Sequence, residues 1–192
     1  MDALVVRLTR AERAFFNPFA RLSAYTVMPL VAIIAFGILL TALRVNSLGK
    51  YSVTLPLIGN EITLNSIVDM QWFLFAISVM LAAAPTWSQN QHVRVDFIYE
   101  HMRPRWKAIV NLVGHVIFAL PFIYFMLPAT WRFAVASYNR NEGSAQGGLT
   151  DYFVVKMFLP FGFLLLAIFL VVDIVRQAIW VFGAQPPRRG ES

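Results

Sequence analysis

Gln91-His92-Val93-Arg94-Val95-Asp96-Phe97-Ile98-Tyr99-Glu100-His101-Met102-Arg103-Pro104-Arg105-Trp106-Lys107 holds four basic side chains, two acidic ones and two of the three histidines. Apolar blocks flank it, residues 67–86 before and 108–127 after. A helix of about 20 apolar residues crosses a hydrocarbon core of about 30 Å. Each block therefore reads as a membrane span, and the charged stretch, 91–103, as a segment in water or at the headgroups. Composition agrees: 14% of the 192 residues are charged, against roughly 25% in a soluble domain.

Outward from this centre the pattern repeats. Residues 22–43 carry no charge and form another span. The block is too long for a signal-peptide apolar region, and Arg44-Val45-Asn46 follows it where a small-residue cleavage site would stand. Residues 152–182 form the fourth, with Lys156 and Asp173 bracketing its uncharged centre and Asp173 one turn from Arg176, in reach of an ion pair. Residues 183–192 are a basic tail. At the other end, residues 2–16 place Leu4, Leu8, Ala11 and Phe15 at helical spacing, with Arg7, Arg10 and Arg13 on other faces. This reads as a short amphipathic helix in the interface, broken by Asn17-Pro18; a basic tail that only sets orientation is the alternative.

The connections have their own signals. Gly49, Pro56 and Gly59 punctuate residues 44–65, read as a polar loop. Ser66 and Asp69 have the spacing of a capping box, and Thr150 followed by Asp151 that of a cap on the last helix. The fold class is an all-α integral membrane protein. It has four transmembrane helices, a short N-terminal amphipathic interfacial helix and a short cytoplasmic segment between helices two and three. Eleven of the sixteen basic residues fall at the N-terminus, the central segment and the C-terminus, and five at the opposite loops and span ends. The positive-inside rule then puts both termini and the central segment in the cytoplasm. The same clustering makes the net charge of +6 a topology signal and excludes nucleic acid as the expected partner.

The inventory for chemistry is thin. With no cysteine, disulfides, thiolate metal sites and thiol redox chemistry are absent. No membrane histidine has the serine and third group of a triad. A bis-histidine haem needs two axial histidines facing one cavity, and His92 and His101 lie in the headgroup-side segment. His115 is the one deep candidate; with Asn111 and Gly114 it forms a polar, small-residue stripe of the kind that faces another helix. Four spans without an internal repeat or interrupted helices leave little room for a self-sufficient transporter. Two readings stand: an accessory subunit of a larger membrane protein, or a small membrane enzyme or haem/redox anchor using His115.

His92-Val93-Arg94-Val95-Asp96-Phe97-Ile98-Tyr99 resembles the signature of the small permease subunit of TRAP transporters, the DctQ family. Asp69-Met70-Gln71-Trp72-Phe73-Leu74-Phe75 upstream and Gly147-Gly148-Leu149 and Lys156-Met157-Phe158-Leu159-Pro160 downstream fall in the expected order. Thr150 departs from it, standing where proline is expected. The resemblance covers about residues 20–180. It implies a scaffold subunit, not an enzyme, in the inner membrane of a bacterium or archaeon. The implied partners are a large (M-type) permease subunit, an extracytoplasmic solute-binding protein and membrane lipids. It also implies no cofactor in this chain, Na+ in the large subunit, and phospholipid at the subunit interface. Arg94, Asp96, Glu100, Asn111, Gly114 and His115 become candidates for the subunit interface, and Arg140, Glu142 and Lys156 for contact with the binding protein.

Overall fold

The computed structural model describes residues 2–89, 99 and 101–183. In order the elements are α1 (Asp2–Ala42), β1 (Ser47–Leu55), β2 (Gly59–Thr63), α2 (Leu64–Ser88), α3 (Pro104–Gly114), a π-helical turn (His115–Ala119), α4 (Leu120–Asn139) and α5 (Phe153–Phe182). With α3, the π turn and α4 forming one rod, four helices among the described residues are long and apolar enough to cross a membrane. The chain is a multi-pass membrane protein. α1 pairs with α2 and α4 with α5, while α5 also touches α2, α3 and α1, so the last helix is the axis of the bundle.

The N-terminal segment is helical, but Asn17-Pro18 does not break it: α1 runs through both Pro18 and Pro29. A proline removes one backbone bond and crowds the carbonyl four residues back, a cost that tertiary contacts can offset. Here Phe16 is buried with Ala84, Leu165 and Phe169, its ring 6.1 Å from that of Phe169 and edge-on to it. The inward face is Leu8, Thr9, Glu12 and Phe16, whereas Ala11 and Phe15 of the expected apolar stripe are exposed.

Pro121 and Pro128 lie inside the third span without ending it. The ladder widens just before Pro121, where Leu120 N–H bonds His115 O. An i→i+5 turn absorbs the crowding that a proline ring imposes on the preceding turn. The crossing of α2 and α5 is close, for a Cβ on Gly162 would stand 2.9 Å from Met80 Cβ and 3.0 Å from Met80 O.

The stretch after α1 is an antiparallel hairpin rather than an irregular loop, with Ser47 opposite Thr63 and Lys50 opposite Glu61. Its turn holds Leu57 at φ 69°, a conformation costing about 1–3 kcal/mol for such a residue. The loop before α5 fixes it there: Leu57 N–H donates to Asp151 Oδ2 (3.1 Å) and Leu57 O accepts from Thr150 N–H (2.9 Å). Both expected caps are corrected. Thr63 caps α2, its Oγ1 accepting from Ser66 N–H while Ser66 Oγ accepts from Thr63 N–H, each at 3.2 Å. Asp69 is thereby released to accept Leu149 N–H (3.0 Å). Tyr152, not Thr150, occupies the cap position of α5 and makes no side-chain cap bond. Replacing Thr63 with Ala removes the α2 cap and a bond to Gly147 O, and should cost about 1 kcal/mol, read as a lower thermal unfolding midpoint in detergent.

Candidate functional site

The side chains that matter most deep in the bundle come from three helices. Arg176 of α5 donates through Nη1 to Glu12 Oε2 of α1 (2.7 Å) and through Nη2 to Asp173 Oδ1 on its own helix. Asp173 Oδ2 lies 3.1 Å from Nδ1 of His115, at the start of the π turn, and accepts from Gln177 Nε2 at 3.4 Å. The Glu12 and Asp173 side chains are 1% and 4% exposed. The His115 ring stands edge-on to Trp87 of α2 at 5.4 Å, and Trp87 stacks on toward Phe169.

The local reasons are plain. Asp173, Arg176 and Gln177 sit at i, i+3 and i+4, one face of α5. Glu12 and Phe16 share one face of α1, so Phe16 packing aims Glu12 at Arg176. The two carboxylates share one guanidinium, and His115 closes the free side of Asp173. Ions removed from water need partners; Glu12 Oε2 and both Arg176 Nη atoms have them, while Glu12 Oε1 and Arg176 Nε have no hydrogen-bond partner among the described residues. The cluster is turned inward on itself and joins the start of α1 to the end of α5.

The residues singled out from the sequence are distributed unevenly. Arg94, Asp96 and Glu100, and His92 with them, lie outside the described residues, as does the basic tail beyond Gly183. Asn111 Nδ2 donates to the phenol oxygen of Tyr99 (2.9 Å), tying α3 to the central segment. His115 does face another helix. Gly114 does not among the described residues, for a Cβ there would meet none of their atoms within 4 Å. The pair anticipated between Asp173 and Arg176 is present, with both side chains buried in the bundle. Glu12 was not legible as a site residue, since its partner is 164 positions away. Gln177, one turn from Asp173, could have been found by helical spacing.

The loop at the opposite end brings two of its three candidates together. Lys156 Nζ bonds Glu142 Oε2 at 2.6 Å and stands 4.2 Å from the centre of the Phe133 ring. Arg140 is exposed at the end of α4. The Lys156 ammonium, with Ser137, holds the Glu142 carboxyl below its ordinary value of 4.5. Burial, with Asp69 nearby, pushes the Tyr152 phenol up from its ordinary 10.0. A depressed carboxylate stabilises the fold above its unfolded value, and that contribution is lost as pH falls through the folded one. Wild type should therefore melt above Glu142→Gln near pH 6, and the gap should close as pH falls through and below the carboxyl's ordinary 4.5.

The family model for Tripartite ATP-independent periplasmic transporters, DctQ component, matches residues 51–179, about two thirds of the chain. The chain belongs to the DctQ family. No curated protein and no solved structure matches it. A DctQ chain is the small component of a TRAP transporter, which makes this one a transporter component and not an enzyme. The reading of His115 as the centre of a membrane enzyme or haem anchor is set aside on that ground. Family membership implies association with a large permease subunit and a solute-binding protein. The matched stretch begins in β1 and ends in α5, so it takes in the hairpin, α2, the third span and most of the charge cluster, leaving out Glu12.

Proposed function

We propose that this DctQ chain is the static scaffold of a sodium-driven TRAP-type transporter. In this reading it holds the large (M-type) subunit in the membrane while that subunit moves an organic acid or related solute inward. An extracytoplasmic binding protein delivers the solute, and substrate and Na+ sites belong to the large subunit. The observation that carries the reading is the closed charge cluster. Its ionic side chains bind one another across α1, the π turn and α5, which ties the first helix to the last as a fixed frame does. In this reading the membrane is the cytoplasmic membrane of a bacterium or archaeon, and the clustering of basic residues supports both termini in the cytoplasm.

On that orientation the central segment offers Arg94, Asp96 and Glu100 to the large subunit from the cytoplasmic side, and Gly114 presents open space for a close-packed partner helix. Phospholipid fills gaps between the two subunits. The hairpin and Arg140, Glu142 and Lys156 face the binding protein; of these, Arg140 is the cation most available to it.

Co-purification with the large subunit, paired with uptake kinetics, tests the proposal. Arg94→Ala or Asp96→Ala should weaken assembly while leaving apparent solute affinity nearly unchanged. A large change in affinity with assembly intact would contradict it. So would normal transport by a large subunit that never binds this chain.

A further inference from the structure

α4 and α5 leave a groove of about 560 Å³ on the outside of the bundle. α4 descends from its loop end with falling residue number and α5 with rising number, so Arg132 and Met157 lie at the mouth and Leu127 and Leu164 at the floor. Pro128, Pro160 and Phe161 complete walls that are almost wholly apolar. Trp131, at the mouth, is 53% exposed, and Leu164, at the floor, 47%. The groove therefore opens sideways, to whatever surrounds the helices.

Its mouth carries a charge. Arg132 is exposed and pairs with no side chain among the described residues, whereas Lys156 nearby is engaged by Glu142 and Arg140 lies beyond the groove at the end of α4. Arg132 stands one or two turns below the end of α4 at Asn139, about 10 Å at 1.5 Å per residue. A guanidinium at that depth reaches up to the headgroup phosphates while its stem stays in apolar surroundings. A neighbouring tryptophan marks the same level. A cation at the mouth and a dry channel running inward from it complement a molecule with an anionic head and a hydrocarbon tail.

We propose that this groove is a phospholipid site: the phosphate on Arg132 and one acyl chain laid between α4 and α5 down to Leu164. The site is built by this chain alone, in the leaflet opposite the termini. It depends on the membrane placement of the helices and not on the scaffold reading.

The test uses the full chain, purified in mild detergent and stripped of lipid, with palmitoyl-oleoyl-phosphatidylglycerol added and bound lipid counted by native mass spectrometry. One tight equivalent per chain is expected. Arg132→Gln, a surface change, should weaken it at least fivefold, and Leu164→Trp, which fills the floor, should do the same with the thermal midpoint retained. Diacylglycerol of the same chains should bind weakly and be indifferent to Arg132→Gln, and inorganic phosphate should not compete. Equal lipid binding by wild type and both variants overturns the proposal. It is equally overturned if the variants bind lipid normally but lose the large permease subunit, because the groove then seats a protein helix. Loss of the lipid with assembly intact supports the site, whatever becomes of the scaffold reading.

Discussion

Arg176→Met should be the most damaging single substitution in this chain. It removes the guanidinium that Glu12 and Asp173 share and leaves two buried carboxylates without it. Breaking one partner out of a buried ionic group costs about 3–5 kcal/mol, and the Glu12 and Asp173 side chains are too buried for water to replace the lost partner. The expected result is a sharp loss of monodisperse protein in detergent and a large fall in the unfolding midpoint. Replacing all three groups together, as Glu12→Gln, Asp173→Asn and Arg176→Met, should recover most of that loss, because well-packed neutral groups in such positions are often as stable as the ions. The comparison separates charge stranding from lost packing. If the single variant melts with wild type, the cluster does not hold α1 to α5.

Two glycines should respond in opposite directions. A side chain at Gly162 enters the α2–α5 crossing, against Met80 Cβ, O and Sδ within 3.0 Å. One of those atoms is backbone and cannot rotate away. Gly162→Leu should cost about 3 kcal/mol or more by overpacking, and Gly162→Ala about 1–2 kcal/mol after its gain in helix propensity. Gly114→Ala meets nothing within 4 Å among the described residues and should stabilise the chain by about 0.5–1 kcal/mol. Thermal denaturation of the isolated chain reads both. Assembly with the large subunit adds a second readout for Gly114: if that subunit packs here, Gly114→Ala weakens co-purification while raising the midpoint. A midpoint for Gly162→Leu at or above wild type would refute the close crossing.

The N-terminal helix shows where local reading fails. Asn17-Pro18 carries a real breaking signal, and Leu4, Leu8, Ala11 and Phe15 carry a real periodicity. The structure buries the adjacent face instead, because Phe16 finds Ala84, Leu165 and Phe169 and Glu12 finds Arg176. None of those partners is near in sequence. The hairpin failed to register for a related reason. Glycine and proline in residues 44–65 mark its turn and bulges as readily as an irregular loop, and what steadies Leu57 at positive φ is a segment more than ninety positions later.

What the sequence determined by itself is whatever depends on length and local chemistry. Uncharged blocks long enough for a bilayer make four spans, because an unpaired peptide group in hydrocarbon leaves helices as the economical solution. The residues around His92–Tyr99 carried the resemblance to DctQ, and helical spacing alone paired Asp173 with Arg176. Only the tertiary structure decided that this pair is buried, that Glu12 and His115 complete it, and that Arg132 stands exposed at the mouth of an apolar groove. Those facts turn on which helix faces which, and helix contacts are set by side chains far apart in the chain whose meeting no local periodicity encodes.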